Sequence, residues 1–439
     1  MDITELSESS TPATPATLSK PTITLTAEQS RANDAVASWL ADESRKPYFI
    51  LHGLAGTGKT SLAKHFAEQR NSGGVVYAAY TGKAVEVLQR KGCSPAYTIH
   101  SLIYLPQNAK IKEIEELRKE LSEKRSNDSL KPGEEQKIIR RIAKLNSPDF
   151  TLNEKSPLFN AKLLVLDECS MVDATIARDL IAFNVPILVL GDPGQLPPIE
   201  GAGFFNQKPD FMLTEIHRQA AESPIIQLAM KAREGRGLAL GNYGSSQIIK
   251  RASVNEEHVR SVSQIITGKN TSRKSMNDEM RTLLGFSGEF PQKSERLICL
   301  RNNKQSGLFN GAMVELASDS HGVWPRNPES NKVDMTGPAP PIDMMDDAIE
   351  FEVAGREGPV TVLKDTFANY DRIRAMPYGL RAQYDEFDYA YAITCHKAQG
   401  SQFPSVLIYA DLFQWDKELY KRWLYTALTR AEDRVILAM

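Results

Sequence analysis

Apolar residues gather into short, nearly unbroken runs along this chain: YFILHG at 48–53, GVVYAAY at 74–80, KLLVLDE at 162–168 and VPILVLGD at 185–192. Runs of that length without polar alternation suit strands of a parallel sheet buried on both faces. Stretches of helical spacing separate them, so the pattern from Thr22 onward predicts an α/β fold. Past His100 the character changes. Ile111, Ile114, Leu117 and Leu121, then Ile138, Ile142 and Leu145, recur at helical spacing among Lys, Arg and Glu, with SNDSLKPG at 126–133 as the turn. This reads as a charged helical hairpin, 103–160, inserted into the first α/β unit; without it, Lys59 and Asp167 lie about a strand and two helices apart. A second insertion is expected at 301–385, where the strand-like runs AMVELA, IEFEVAG and PVTVLK flank the irregular TGPAPP at 336–341 and suit a small β-barrel. The chain then returns to strand and helix with VLIYA, a helix around 417–431 and a terminal strand VILAM.

Composition narrows the class. The chain has 439 residues, enough for two or more folding units. Its formal charge of -2 excludes a basic polyelectrolyte and leaves room for a local basic groove offset by acidic surface elsewhere. Cys93, Cys169, Cys299 and Cys395 lie far apart with no CxxC pairing, so neither a disulfide framework nor a zinc site is expected, and a reducing, cytoplasmic compartment is. The apolar runs fall far short of the roughly 18 residues of a membrane span. Residues 1–21 are rich in Ser, Thr, Pro and Ala and carry Asp2, Glu5 and Glu8, which reads as a disordered tail and not a signal peptide or other presequence.

Candidate chemistry begins with GLAGTGKT at 53–60, which satisfies G-x-x-x-x-G-K-[ST] directly after one apolar strand and before a helical stretch. Gly53, Gly56 and Gly58 let the backbone of this loop, Ala55 and Thr57 included, curl around phosphate oxygens. Lys59 reaches the outer phosphates, and the Thr60 hydroxyl suits Mg²⁺. LLVLDECSM at 163–171 ends a second strand in paired carboxylates, at the sheet edge where such folds bind ligands. There Asp167 suits Mg²⁺ coordination through water, and Glu168 suits orienting and deprotonating an attacking water. VLGDPGQLPPIEG at 189–201 ends a third strand in Asp192 and presents Gln195, a neutral amide able to sense a γ-phosphate without neutralising the metal.

With LTEIHRQ at 213–219, AITCHKAQGSQF at 392–403 and LYTALTRA at 424–431 following in order, the chain resembles superfamily 1 helicases, and more narrowly their Dda and RecD branch. The resemblance covers nearly all of 23–439, weakly in the two insertions. It implies two RecA-like P-loop NTPase domains, with ATP in the cleft between them and single-stranded DNA across both. The expected boundaries are 22–102 with 161–212 for the first domain and 213–300 with 386–439 for the second. The first insertion then corresponds to a region that carries a duplex-splitting pin, and the second to a small SH3-like barrel. Tyr104, Phe150 and Phe159 are wedge candidates by aromaticity alone.

Carried over to these residues, the resemblance makes Arg218 and Arg430 arginine fingers from the second domain, and Gln399 a residue near the γ-phosphate and the DNA. Gln29 matches the adenine-reading position, while Thr26-x-x-Gln29 also reads as a capping box. DNA contacts fall to Thr81, Lys83, Thr98, His100, Thr394, His396 and Lys397, with Thr and Lys at strand-to-helix loops suiting phosphate contacts. Asn270 and Arg273 in the basic cluster GKNTSRKSMN at 268–277 are expected either as DNA contacts or as part of a solvated loop. The implied activity is an ATP- and Mg²⁺-dependent DNA helicase moving 5′ to 3′ on single-stranded and forked DNA, with a core active as a monomer in a bacterial or phage-infected cell. Its protein partners would be single-stranded-DNA-binding, replication or recombination proteins. The alternatives are a DNA-stimulated translocase without strand separation, a P-loop phosphotransferase, and a catalytically inert DNA-binding module.

Overall fold

A computed structural model of the chain describes residues 24–69, 74–106, 150–153, 155–197, 203–301, 310–322, 348–376, 384–411 and 416–439, with isolated positions at 117, 124, 137, 138, 308 and 381. The expected tail at 1–21, the TGPAPP segment and most of the expected helical hairpin lie outside the described residues.

The chain opens with helix α1 (Ala27–Ala41), started by a capping box in which Thr26 and Gln29 satisfy each other's backbone amides. Strand β1 (Tyr48–Gly53) leads through the glycine loop into α2 (Lys59–Gln69), then β2 (Val75–Ala79), α3 (Gly82–Arg90), β3 (Ala96–Thr98) and α4 (Ile99–Ile103). A short antiparallel ribbon of β4 (Tyr104–Pro106) and β5 (Phe150–Leu152) brackets the first insertion. Periodicity gave no sign of it, because three-residue strands are too short to show alternation. Then come β6 (Leu163–Asp167), α5 (Ala174–Ile181), β7 (Ile187–Gly191) and β8 (Phe211–Leu213).

These strands form a six-stranded sheet in the order β3-β2-β6-β7-β1-β8, with every pairing parallel. The four central strands β2, β6, β7 and β1 bury both faces, as their unbroken apolar runs predict, while Phe211 and Met212 of the edge strand β8 are only half-buried. Leu163 and Val165 of β6 join Phe49, Leu51, Leu188 and Leu190 in one core, while Leu164 and Leu166 join Ile50, Ile187 and Val189 on the opposite face. Such fully buried aliphatic side chains contribute about 1.5–3 kcal/mol each.

Because β8 pairs with β1, the first sheet extends through Leu213. The crossing to the second unit follows, with α6 (Arg218–Ala221) and α7 (Pro224–Arg233). The second sheet then builds from β9 (Gly241–Tyr243), β10 (Ser246–Ile249) and, after α8 (Glu256–Arg260), β11 (Gln264–Thr267), followed by α9 (Asn270–Leu283). Between α9 and the return to this sheet come β12 (Arg296–Cys299), β13 (Met313–Glu315), β14 (His321–Gly322), β15 (Ala348–Phe351), β16 (Val360–Leu363), α10 (Asp365–Ala368), α11 (Tyr370–Ala375) and β17 (Phe387–Tyr389). Strands β13-β12-β17 and β14-β15-β16 make two small antiparallel sheets, tied by a bridge between Leu316 and Val353. The smaller sheets therefore recruit 296–299 and 387–389, beyond both ends of the expected second insertion.

The chain ends with β18 (Ala392–Thr394), α12 (Cys395–Ala398), β19 (Phe403–Tyr409), α13 (Lys417–Leu428) and β20 (Ala431–Ala438). They complete a sheet ordered β18-β11-β19-β20-β10-β9, parallel except for the β9–β10 edge. All four cysteines are buried and free. Among the described residues, no helix is long and apolar enough to cross a membrane.

Candidate nucleotide cleft and nucleic-acid face

The glycine loop between β1 and α2 has a backbone that only glycine serves well. Gly56 and Gly58 have φ of 81° and 77°, in the left-handed region. A Cβ on Gly58 would also stand 2.8 Å from Gln29 Nε2 and 2.7 Å from His217 Nε2. Because α2 begins at Lys59, its first amides have no partner within the helix and face the loop, an anion-binding arrangement.

Thr60 Oγ1 donates to Asp167 Oδ2 at 3.0 Å, bringing together the two oxygens assigned to Mg²⁺. No group of three or more His, Cys, Asp or Glu could hold a metal among the described residues. One hydroxyl and one carboxylate fit an ion that keeps waters and substrate phosphates as its other ligands. The Lys59 ammonium donates to the carbonyls of Gly53 at 2.7 Å and Leu54 at 3.1 Å, so rotation of its side chain alone would exchange them for phosphate oxygens.

The loop opens on a cleft of about 460 Å³. Its lining includes Lys59, Thr60, Asp167, Glu168, Gln195 and Arg430, residues drawn from both sheets. Glu168 adopts a left-handed backbone, φ 52°, at the end of β6. Burial pushes its carboxyl above the usual range, with the Arg430 guanidinium opposing the shift. Arg430, 4% exposed, lies 3.8 Å from Glu168 across the cleft. It is aimed by its own hydrogen bonds to the Thr426 and Ser401 carbonyls and the Thr429 hydroxyl. Gln195 is buried with its Oε1 unpartnered. Gln399 donates to the Leu196 carbonyl at 3.0 Å, one residue beyond Gln195, and its own Oε1 is likewise unpartnered.

Two expectations shift in place. The Gln29 amide closes the capping box and also donates to the Thr57 carbonyl at 3.0 Å, so the cap and contact with the phosphate loop coexist. Arg218, expected from the far wall, begins α6 on the connector. There His217 N–H donates to the Gly56 carbonyl at 3.1 Å, so the Arg218 backbone sits against the phosphate loop while its side chain lies outside the described residues.

The residues expected to meet nucleic acid divide into two groups. Thr81, Thr98 and Thr394 each cap a helix that follows an edge-region strand, accepting from Ala84, Ser101 and Lys397 amides. The two edges meet, since a Cβ on Gly400 would stand 3.0 Å from Thr81 Oγ1. His100 lies between Tyr80 and Tyr104, with ring centroids 5.6 and 5.8 Å away. Burial lowers the pKa of His100 and of His396, which favours neutral rings suited to stacking or hydrogen bonding over charge pairing. Loss of water around the Lys397 ammonium, and then the nearby Arg273 charge, pull it down to about 8 against the opposing pull of Asp388, although the side chain keeps exposed surface.

The cluster at 268–277 is not a solvated loop. Most of it forms the start of α9, with Arg273 7% exposed, ion-paired with Asp388 and hydrogen-bonded to Asn270. Basic residues at helical spacing read as a charged surface in sequence, and the carboxylate that neutralises Arg273 is remote in the chain. Lys83 similarly pairs with Glu86 at 2.7 Å. Of the wedge candidates, Tyr104 is buried and hydrogen-bonded to Asp179, Phe159 is 59% exposed against Phe183, and the Phe150 side chain lies outside the described residues.

Tyr425, Thr426 and His217 also line or brace this site and were not singled out by sequence. Tyr425 and Thr426 sit within LYTALTRA, and their signal was polar atoms on a helix segment that is otherwise apolar and wholly buried.

A family model described as an AAA domain matches residues 24–253, and one described as a UvrD-like helicase C-terminal domain matches 389–438. The ATP-dependent RecD2 DNA helicase of Deinococcus radiodurans is 24% identical over 421 residues, covering 89% of this chain and 46% of that protein. The ATP-dependent DNA helicase dda of Enterobacteria phage T4 is 28% identical over 211 residues, covering 45% of this chain and 40% of that protein. The chain thus spans less than half the length of these curated relatives. Among solved structures, the Pif1 helicase from Candida albicans aligns over 95% of both chains at 16% identity and a TM-score of 0.45. Pif1 from Bacteroides in complex with ADP-AlF3 and ssDNA aligns over 94% of this chain and 92% of that one, at 18% identity and a TM-score of 0.48. With the AAA-domain match covering more than half of its length, the chain belongs to the AAA-domain family, and its C-terminal match and curated relatives make it similar to the Dda- and RecD-like branch of the superfamily 1 helicases.

Proposed function

We propose that this chain is an ATP-dependent DNA helicase that couples hydrolysis between two RecA-like units to 5′-to-3′ movement on single-stranded DNA and to duplex unwinding. The observation that carries this reading is the pairing of Arg430 with Glu168 across a cleft whose floor is the phosphate loop. A phosphotransferase has no need of a second parallel sheet that delivers a guanidinium to the acid beside the phosphates.

In this mechanism Lys59 and the glycine-loop amides hold the phosphates, Ala55 excepted because its N–H donates to the Tyr425 hydroxyl, and Gln29 lies where adenine enters. Mg²⁺, held by Thr60 and Asp167, would supply charge neutralisation at the outer phosphates. Glu168, with its raised pKa, orients water and accepts its proton, while Gln195 senses the terminal phosphate. Arg430 stabilises charge on the transferring group, and Arg218 serves as a second cation at the connector. Closure around nucleotide and reopening after hydrolysis shift the two units relative to each other. Strand grip falls to Thr81, Thr98 and His100 on one unit and Thr394, His396 and Lys397 on the other, with Lys83, Asn270 and Arg273 nearby. The 103–160 region carries the wedge, and the small antiparallel sheets belong to an SH3-like barrel that guides the strand.

The test is ATP turnover with and without single-stranded DNA. The wild-type chain should be stimulated at least tenfold, and turnover indifferent to DNA would refute the reading.

A further inference from the structure

Helix α13 buries Trp423, Tyr425 and Leu428 completely within the second unit. The Tyr425 hydroxyl nevertheless makes both of its described hydrogen bonds in the first unit. It donates to Asp192 Oδ2 at 2.6 Å and accepts from the Ala55 N–H at 2.8 Å. One partner belongs to the loop that presents Gln195 and the other to the phosphate loop. Asp192 Oδ1 is held in turn by the Gly194 N–H at 2.9 Å, so the carboxylate is fixed within its own loop. The ring reaches this point only because residue 194 is glycine: a Cβ there would stand 2.9 Å from Tyr425 Cε1. Burial, and then the Asp192 charge, raise the phenol well above its usual pKa, so it stays a neutral donor. Next to it, Thr426 Oγ1 accepts from the Leu196 N–H at 2.9 Å, pinning the other end of the Gln195 loop to the same helix.

The geometry points to Tyr425 as a positioning residue that reads cleft closure, its hydroxyl locking the phosphate loop and the Gln195 loop to the helix that delivers Arg430. This inference rests on the helicase reading for its link to turnover, and on the hydrogen bonds alone for its link to closure. Open units cannot make the three-way contact, and closed units make it at a single oxygen. Hydrolysis, which needs Gln195 and Arg430 in place together, is thereby tied to closure, while ground-state nucleotide binding to the phosphate loop is not.

The full chain carrying Tyr425→Phe keeps the ring and its packing and loses only the hydroxyl. Its kcat for DNA-stimulated ATP turnover should fall about tenfold or more, as expected for two buried hydrogen bonds, one of them to a charge. Affinity for fluorescent ADP should stay within about twofold. Gly194→Ala, which displaces the ring without removing any hydrogen-bonding group, should reproduce the kcat loss. Closure is read separately by energy transfer between dyes on Glu43→Cys and Asn242→Cys, positions exposed on the two units, while the native cysteines are buried. With a non-hydrolysable ATP analogue, Tyr425→Phe should populate the closed state less than wild type. Wild-type kcat in Tyr425→Phe, equal loss of kcat and ADP affinity, or unchanged closure would overturn the proposal. A wild-type chain without ATP turnover would sink the helicase reading, and the closure comparison would still decide the role of Tyr425.

Discussion

At the scale of single residues, charge and its neutralisation decide what each site side chain can do. Lys59→Ala removes the cation that reaches the outer phosphates and touches no core contact, so ATP turnover should vanish while the circular dichroism spectrum is unchanged. Glu168 has its pKa raised by burial and partly restrained by Arg430. Removing that cation in Arg430→Ala should move the acid limb of the kcat–pH profile to higher pH, besides lowering kcat about a thousandfold. An acid limb that stays in place would show that the two groups do not interact during turnover. Burial pulls the Lys397 ammonium down to about 8, so raising the pH from 7 to 9 should strip its charge and, on the proposed function, weaken single-stranded DNA binding. The log–log salt slope should shrink by about 0.7 over the same interval. Fluorescence anisotropy should find both changes absent in Lys397→Gln. Among the proposed DNA contacts, Lys83 and Arg273 already have carboxylate partners, and Lys397 has none described.

Elements were legible in the sequence where burial is uniform. The runs at 48–53, 74–80, 162–168 and 185–192 all emerged as strands of one parallel sheet, since a strand covered on both faces must be apolar throughout. Glycines, Lys59, Thr60, Asp167 and Glu168 were legible for a related reason: the phosphate loop and the strand-end acids are local in sequence. Contacts made across the chain were not. Nothing near Arg273 announces Asp388, nothing near Tyr425 announces Ala55, and the three-residue pairing that places β8 in the first sheet has no period to detect. The β4–β5 ribbon offers a test at this scale. Its outermost pair is Pro106 with Phe150, so replacing 107–149 by Asn-Gly should close a two-residue hairpin. If the insertion carries the wedge, the shortened chain should keep its melting temperature and DNA-stimulated ATP turnover within about twofold and lose strand separation. Retained unwinding of a forked duplex would place the wedge elsewhere.

For the whole molecule, a formal charge of -2 is compatible with the proposed nucleic-acid binding, and two of its buried cations, Arg273 and Arg430, are already paired with Asp388 and Glu168. On the proposed function, the strand is left with a narrow face of helix caps, His100, His396 and Lys397. Two parallel sheets meet at that face and at the cleft, and Tyr425, Thr426, Gln399 and Arg430 all cross between them. On the proposed function, closure and strand grip are changes in one interface. It is tested most directly by comparing unwinding of duplexes bearing a 5′ or a 3′ single-stranded tail, with ATP and with a non-hydrolysable analogue. The account predicts strand separation only on the 5′-tailed duplex and only with ATP; equal unwinding of both tails, or unwinding with the analogue, would contradict it.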